Sequence, residues 1–134
     1  MLRYMLDTNI LICAIKNKPL EVRRAFEQHS GQLCTSILCL MELIYGAEKS
    51  ATPAQDLATI NGLAARLEVI DYDARAATHS GQIRAELARS GQPIGPYDQM
   101  IAAHARSQGL TLVINNTKEF DRVDGLRLDN WINH

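Results

Sequence analysis

The stretch YMLDTNILICAI, Tyr4–Ile15, decides the fold. Tyr4-Met5-Leu6 is a short apolar run, Asp7-Thr8-Asn9 is polar turn chemistry, and from Ile10 onward apolar residues follow at helix-compatible spacing. A buried strand therefore passes directly into a helix. The pattern recurs along the chain: LEVRRAFEQH (20–29) reads as a helix, QLCTS (32–36) as a strand, ILCLMELIYGAEKS (37–50) and AQDLATINGLAARL (54–67) as helices, and EVIDY (68–72) as a strand. ARAATHSGQIRAELARSG (74–91) is a long helix stopped by Gly91, where a left-handed cap suits glycine. PYDQMIAAHARSQG (96–109) places proline where a helix starts and glycine where it stops; LTLVINN (110–116) is a strand and LRLDNW (126–131) a short final one. Strands alternating with helices imply parallel pairing and a three-layer α/β domain.

The 134 residues form one domain, 1–134, with no repeat or linker, and 46% hydrophobic against 22% charged residues is ordinary for a globular protein. No apolar run approaches a membrane span and no secretory leader precedes the first strand, so a cytoplasmic location is expected. Cys13, Cys34 and Cys39 form no CxxC or zinc spacing and read as small core residues in a reducing compartment. A net charge of −1 neither indicates nor excludes nucleic-acid binding, because local patches rather than totals neutralise phosphates.

In open sheets of this kind, ligands sit beyond the carboxyl ends of the strands. Asp7 lies there, although Asp, Thr and Asn before a helix are also preferred caps, and on this triplet alone capping is favoured. Glu42 lies in the third helix. An apolar stripe of Ile37, Leu40, Met41, Ile44 and Ala47 leaves Glu42 on the other side, beside Leu38, Tyr45, Gly46 and Lys49. That side is too apolar for open solvent and suggests a second buried surface or a groove wall. Asp98 occupies the first turn of its helix, where the macrodipole favours a negative charge, and its face continues through Ala102 and Ala105. Small residues there would let another element or a substrate approach closely. Glu119 follows the last clear strand, three residues after Asn116, in ordinary turn chemistry, with Phe120 as a core anchor.

Each acid alone has a bland explanation as cap, surface charge or turn. Together, Asp7 and Glu119 after strands, Asp98 at a helix start and Glu42 on a facing helix fit one rim. Converging carboxylates without basic partners repel one another and raise their pKa values. A hard divalent cation relieves this, and Mg2+ or Mn2+ prefers oxygen ligands. Such an ion lowers the pKa of water and clamps a phosphate oxygen, the chemistry of phosphodiester hydrolysis.

The chain resembles the PIN-domain ribonucleases, and within them the VapC toxins of type II toxin–antitoxin modules. MLDTNILI (5–12) is similar to the family's first acidic motif, TSILCLMELIYGAEKS (35–50) to the second, GQIRAELARSGQPIGPYDQMIAAHA (81–105) to the third and NNTKEFDRVDGLRLDNW (115–131) to the last. The resemblance covers nearly the whole chain, and its third segment is especially similar to enterobacterial-type members. It implies a PIN domain: a three-layer α/β/α sandwich around a mostly parallel sheet of four to five strands. It also implies an endoribonuclease dependent on Mg2+ or Mn2+. Asp7 and Asp98 would be metal ligands, with Glu42 and Glu119 acting directly or through water, and Thr8, Asn9, Ser36 and Asn116 would support them from behind. Thr8 or Asn9 would then serve the helix end while Asp7 points toward metal. The implied substrate is initiator tRNA, cut in the anticodon stem-loop. The implied partners are a VapB-type antitoxin that fills the groove, a second copy in a homodimer, and operator DNA reached only through the antitoxin complex. One departure from the family pattern is Ile114, in VINN, where many members carry threonine; losing that hydroxyl would loosen contacts near Asn116.

RNA requires positive charge near the acidic rim. Lys16, Lys49 and Arg84 are the main candidates, with Lys18, Arg89 and Arg106 behind them and Tyr97 as a surface for stacking an unpaired base. A solvated surface role is the competing reading for each. His29, His79 and His104 lack metal-ligand spacing and read as surface or helix residues, and Trp131 as a packing anchor. A haloacid-dehalogenase-type phosphatase would need a second aspartate two positions after Asp7, where Asn9 stands, and a response-regulator receiver an acidic pair and a late-strand lysine. A non-enzymatic alternative is a PIN-fold binding protein with weakened nuclease activity, acting mainly as antitoxin partner and co-repressor.

Overall fold

The computed structural model describes residues 1–132. Along the chain run β1 (Tyr4–Leu6), α1 (Thr8–Lys16), α2 (Leu20–Gln28), β2 (Leu33–Ser36), α3 (Ile37–Glu48), α4 (Pro53–Ala64), β3 (Glu68–Ile70), α5 (Ala74–Arg89), α6 (Pro96–Ser107), β4 (Thr111–Val113), a single 3-10 turn (Phe120–Arg122) and β5 (Arg127–Asp129). The five strands form one wholly parallel sheet in the order β3-β2-β1-β4-β5. Helices cover both faces, giving an α/β/α sandwich.

A parallel sheet covered on both sides needs strands that are apolar on both sides. The central strands meet this: Met5, Leu6, Cys34, Leu112 and Val113 are fully excluded from solvent, and each large side chain contributes about 1.5–3 kcal/mol by burial. The edge strands are three residues each and carry exposed Glu68 and Arg127, which discourages pairing with another sheet. Ile114 extends the buried run of β4 and donates its N–H to the Asp129 carbonyl at 3.0 Å. Its side chain is core packing, so the aliphatic residue is accommodated by burial.

Helix ends follow local rules. Pro96 opens α6, and Gly91 and Gly109 follow α5 and α6 with φ of +69° and +67°, the left-handed conformation that glycine adopts without a Cβ penalty. Trp131 is buried against Tyr4 and His29, with ring centroids 5.6 and 5.8 Å away, and closes the end of the sheet away from the acids. Phe120 is buried, as an anchor should be, and Cys34 and Cys39 lie in the core with Cys13 partly covered, all three as free thiols.

The chain passes outward from β1 through β2 to β3, then returns to place β4 on the other side of β1. The order reverses between β1 and β4, and at such a switch point the following loops part and leave a crevice. Leu6 is level with Thr35 on one side and Val113 on the other. The residues just after these strands therefore share one rim.

Candidate active site

Asp7 is the first residue beyond β1. Its N–H donates to the Val113 carbonyl and its Oδ1 accepts the Ile10 N–H, both at 3.1 Å. Asp7 is thus itself the N-cap of α1. This corrects the division of labour expected above, in which Thr8 or Asn9 would cap the helix. Capping and site membership coincide because a single residue separates the strand's end at Leu6 from the helix's start at Thr8, leaving Asp7 as the cap with extended backbone.

Burial dominates the electrostatics of Asp7. Asp7 is 9% exposed, and desolvation, assisted by the charges of Asp98 and Glu42, raises its pKa to about 6 against the lowering effect of the Ile10 and Asn9 amides. Glu42 on α3 is half-buried and also raised, first by desolvation and then by Asp98. Asp98, in the first turn of α6, is raised by desolvation and then by the charge of the Glu119 carboxylate. Asp98 thus links the group: its charge acts on Asp7 and Glu42, and the Glu119 carboxylate acts on it. Among the described residues the ion pair is Arg23–Glu27 on the surface of α2, so no base neutralises any of the four.

Supporting side chains fix the rim. Thr35 donates its hydroxyl to the Leu6 carbonyl at 2.7 Å, tying β2 to the residue before Asp7. Ser36 caps α3, its Oγ accepting the Leu38 N–H at 3.1 Å, and so sets the helix that presents Glu42. Asn116 is exposed and accepts the Lys118 N–H at 3.1 Å, closing the turn that leads to Glu119. Asn9 is exposed at the start of α1. The Thr8 hydroxyl is buried beside Glu42 and Cys39 and forms no hydrogen bond of normal geometry. Cys39 is a neutral thiol, pushed up to about 11 by burial, and serves as packing.

A buried hydroxyl without a partner, facing an uncompensated carboxylate, suits an ordered water or a cation's hydration shell. The donor set is all oxygen, which fits a hard divalent ion and not zinc or copper. Among the described residues no three acid, histidine or cysteine side chains close around a single point as they stand. Mg2+ fits such a rim by retaining several waters.

Two openings meet at Thr8 and Glu42. One, about 470 Å3, is walled by Met41, Tyr45 and Tyr97; the other, about 390 Å3, runs along Ile12, Ile15, Lys16 and Gly46. A third recess of about 340 Å3, between Arg84, Pro93, Ile94 and Pro96, includes Gln99 beside Asp98. A model of the PIN domain family matches residues 4–126. Over 131 residues the chain is 63% identical to the tRNA(fMet)-specific endonuclease VapC of Shigella flexneri, covering 98% of this chain and 99% of that protein. The chain belongs to the VapC family of PIN-domain proteins. Its fold superposes on the VapC family chain of the DNA-bound VapBC structure from Salmonella typhimurium with a TM-score of 0.94, at 57% identity and covering 98% of this chain and 100% of that one. VapBC2 from Rickettsia felis, bound to a promoter DNA fragment, gives 0.92 at 38% identity, with coverage of 98% and 100%.

Two sequence readings change on this VapC-type framework, those of α3 and His104, while Ala102 and Ala105 show the expected close approach of another element. The inward face of α3 is Cys39, Leu43 and Ala47, while Met41 and Ile44 are 42% and 39% exposed. The helix is apolar nearly all round, and its entry directly from β2 fixes its rotation, which periodicity alone cannot do. Ala102 and Ala105 are wholly buried, so the small face of α6 meets protein. His104, read as a surface or helix residue, is wholly buried with Nδ1 2.7 Å from Ser36 Oγ. Its signal was present, since it lies between alanines on the inward face of α6, but polarity hid it. Of the basic candidates, Lys16 lines the opening at Glu42, Lys49 sits 4.7 Å over the Tyr45 ring, and Arg84 lines the recess near Asp98. Lys18 and Arg89 are exposed, whereas Arg106 is committed to His79, Gln82 and the Asp124 carbonyl at 2.8–3.0 Å.

Proposed function

We propose that this chain is the toxin of a type II toxin–antitoxin pair, an endoribonuclease dependent on Mg2+ or Mn2+ that cuts initiator tRNA in the anticodon stem-loop. The observation that carries the reading is the uncompensated acid rim: four carboxylates on separate elements at one switch point, with Asp7 raised to about 6 and, among the described residues, no base paired with any of them. The Shigella relative named for tRNA(fMet) supports the substrate. Among the described residues no helix is long and apolar enough to cross a membrane.

Asp7 and Asp98 would hold the ion, with Glu42 and Glu119 serving it directly or through water, and Thr8, Asn9, Ser36 and Asn116 would keep those acids in place. When bound, the cation supplies Lewis acidity toward the scissile phosphate and lowers the pKa of water. The protein's share is orientation. The amides of α1 and the Val113 carbonyl fix Asp7, the Ser36 cap fixes Glu42, and the 117–122 turn brings Glu119 to Asp98. Lys16, Lys49 and Arg84 draw the phosphate backbone across the rim, and half-exposed Tyr97 offers a face to an unpaired base.

The exposed Met41, Ile44, Tyr45 and Tyr97 around the openings suit partner proteins: a VapB-type antitoxin lying in the groove and a second copy in a homodimer. Operator DNA is reached through the antitoxin complex. Incubation of the purified chain with initiator tRNA, with Mg2+ and then with excess chelator, tests the reading. Cleavage confined to the metal-containing reaction is expected. Intact tRNA under both conditions would leave a binding protein in place of a nuclease.

A further inference from the structure

We infer that His104 is a positioning residue of the acid site, acting through Ser36 to hold α3 and α6 in one register. This rests on the reading of Asp7, Glu42 and Asp98 as a cation site. His104 belongs to the helix that carries Asp98, and Ser36 caps the helix that carries Glu42. The two side chains meet at 2.7 Å in the core, 68 residues apart in sequence. Ser36 Oγ already accepts the Leu38 N–H, so its own hydroxyl proton is free to be donated to Nδ1. With Ser36 as the donor, neutral His104 carries its proton on Nε2, on the side of the Asp71 carbonyl just after β3. Burial, which lowers the pKa of His104, favours the same neutral form.

The surroundings make this contact a joint. The Tyr72 ring lies edge-on to His104 with centroids 5.0 Å apart, and its hydroxyl donates to the Met100 carbonyl of α6 at 3.2 Å. The neighbouring Thr35 is tied to Leu6, the residue before Asp7. One continuous path thus runs from the root of Asp7 through the cap of Glu42's helix to the helix of Asp98. Nε2 of His104 has no hydrogen-bond partner of normal geometry. A buried imidazole costs more to desolvate than a leucine of similar size, so its contact with Ser36 does more than fill the core.

The test is Mn2+ binding to the RNA-free full chain, by titration calorimetry, for wild type, His104→Leu, His104→Asn, Ser36→Ala, the His104→Leu/Ser36→Ala double variant and Asp7→Asn. Partners that orient metal ligands typically matter by 10–100-fold. His104→Leu and Ser36→Ala should each weaken Mn2+ about tenfold, and the double variant no further. His104→Asn, whose amide can meet Ser36 near the place of Nδ1, should recover most of the loss. Val22→Ala, a core change in α2, which carries none of the four acids, controls for destabilisation. Wild-type affinity in His104→Leu would overturn the inference, as would an equal loss in Val22→Ala or full additivity in the double variant. If Asp7→Asn itself binds Mn2+ as wild type does, the cation-site reading fails and the inference with it. Loss in Asp7→Asn without loss in His104→Leu fails the inference alone.

Discussion

The amide of Asp7 donates to the carbonyl of Val113 at 3.1 Å, fastening the first acid of the rim to the strand whose following loop delivers Glu119. Glu119 lies 112 positions after Asp7, and the strand that precedes it is fastened to the strand before Asp7 by the parallel ladder between β1 and β4. The site is therefore a property of the sheet's switch point, and its electrostatics can be probed without substrate.

Metal-free stability should fall as pH rises through the titration of Asp7. Its folded pKa, about 6, lies above its ordinary value of 3.8, so the folded state holds the proton more tightly. That contribution is fully present below about pH 4 and is lost as pH passes 6, a change of about 3 kcal/mol at most. Urea unfolding in chelator between pH 4.5 and 7.5 should show this slope, flattened in Asp7→Asn. Mg2+ should raise the melting temperature at pH 7.5 more than at pH 5.

Asparagine caps a helix as well as aspartate, and alanine does not. Metal-free Asp7→Ala should therefore be less stable than Asp7→Asn by about 1 kcal/mol, although both lack the charge and both lose cleavage. Equal stabilities of the two variants would contradict the capping geometry at Ile10.

Much of this was legible in the sequence. The abrupt junction at Leu6-Asp7, the glycine stops and Pro96 gave the element order, because each is a local backbone rule. The four acids were legible only as a set, since each obeys a sufficient local rule by itself. The rotation of α3 and the burial of His104 were not legible: both are decided by what packs opposite, across 68 residues in the case of His104.

The basic residues separate by what they already hold. Lys16→Ala and Arg84→Ala should each lower the slope of log affinity against log salt for uncleaved RNA by about 0.7–0.9. Arg106→Ala should leave that slope unchanged and cost about 1–3 kcal/mol of stability, because its guanidinium fastens α6 to α5 and to Asp124. Binding measured at several salt concentrations, with denaturant melts, distinguishes them.

Tyr97 is half-exposed beside Asp98 and faces the opening shared with Tyr45. A stacked base is worth about 1–3 kcal/mol, so Tyr97→Ala should raise KM roughly 5- to 160-fold while Tyr97→Phe stays near wild type. A loss confined to kcat in Tyr97→Ala would instead place the ring in the reacting geometry.

The central claim is that the acid rim performs metal-dependent RNA cleavage, and Asp98→Asn tests it most directly. Asparagine keeps the size of the side chain in the first turn of α6 and removes one charge from the rim. Initiator tRNA incubated with Mg2+ should be cut by the wild-type chain and left intact by a folded Asp98→Asn variant whose circular dichroism and melting match wild type. Undiminished Mg2+-dependent cutting by that variant would contradict the account.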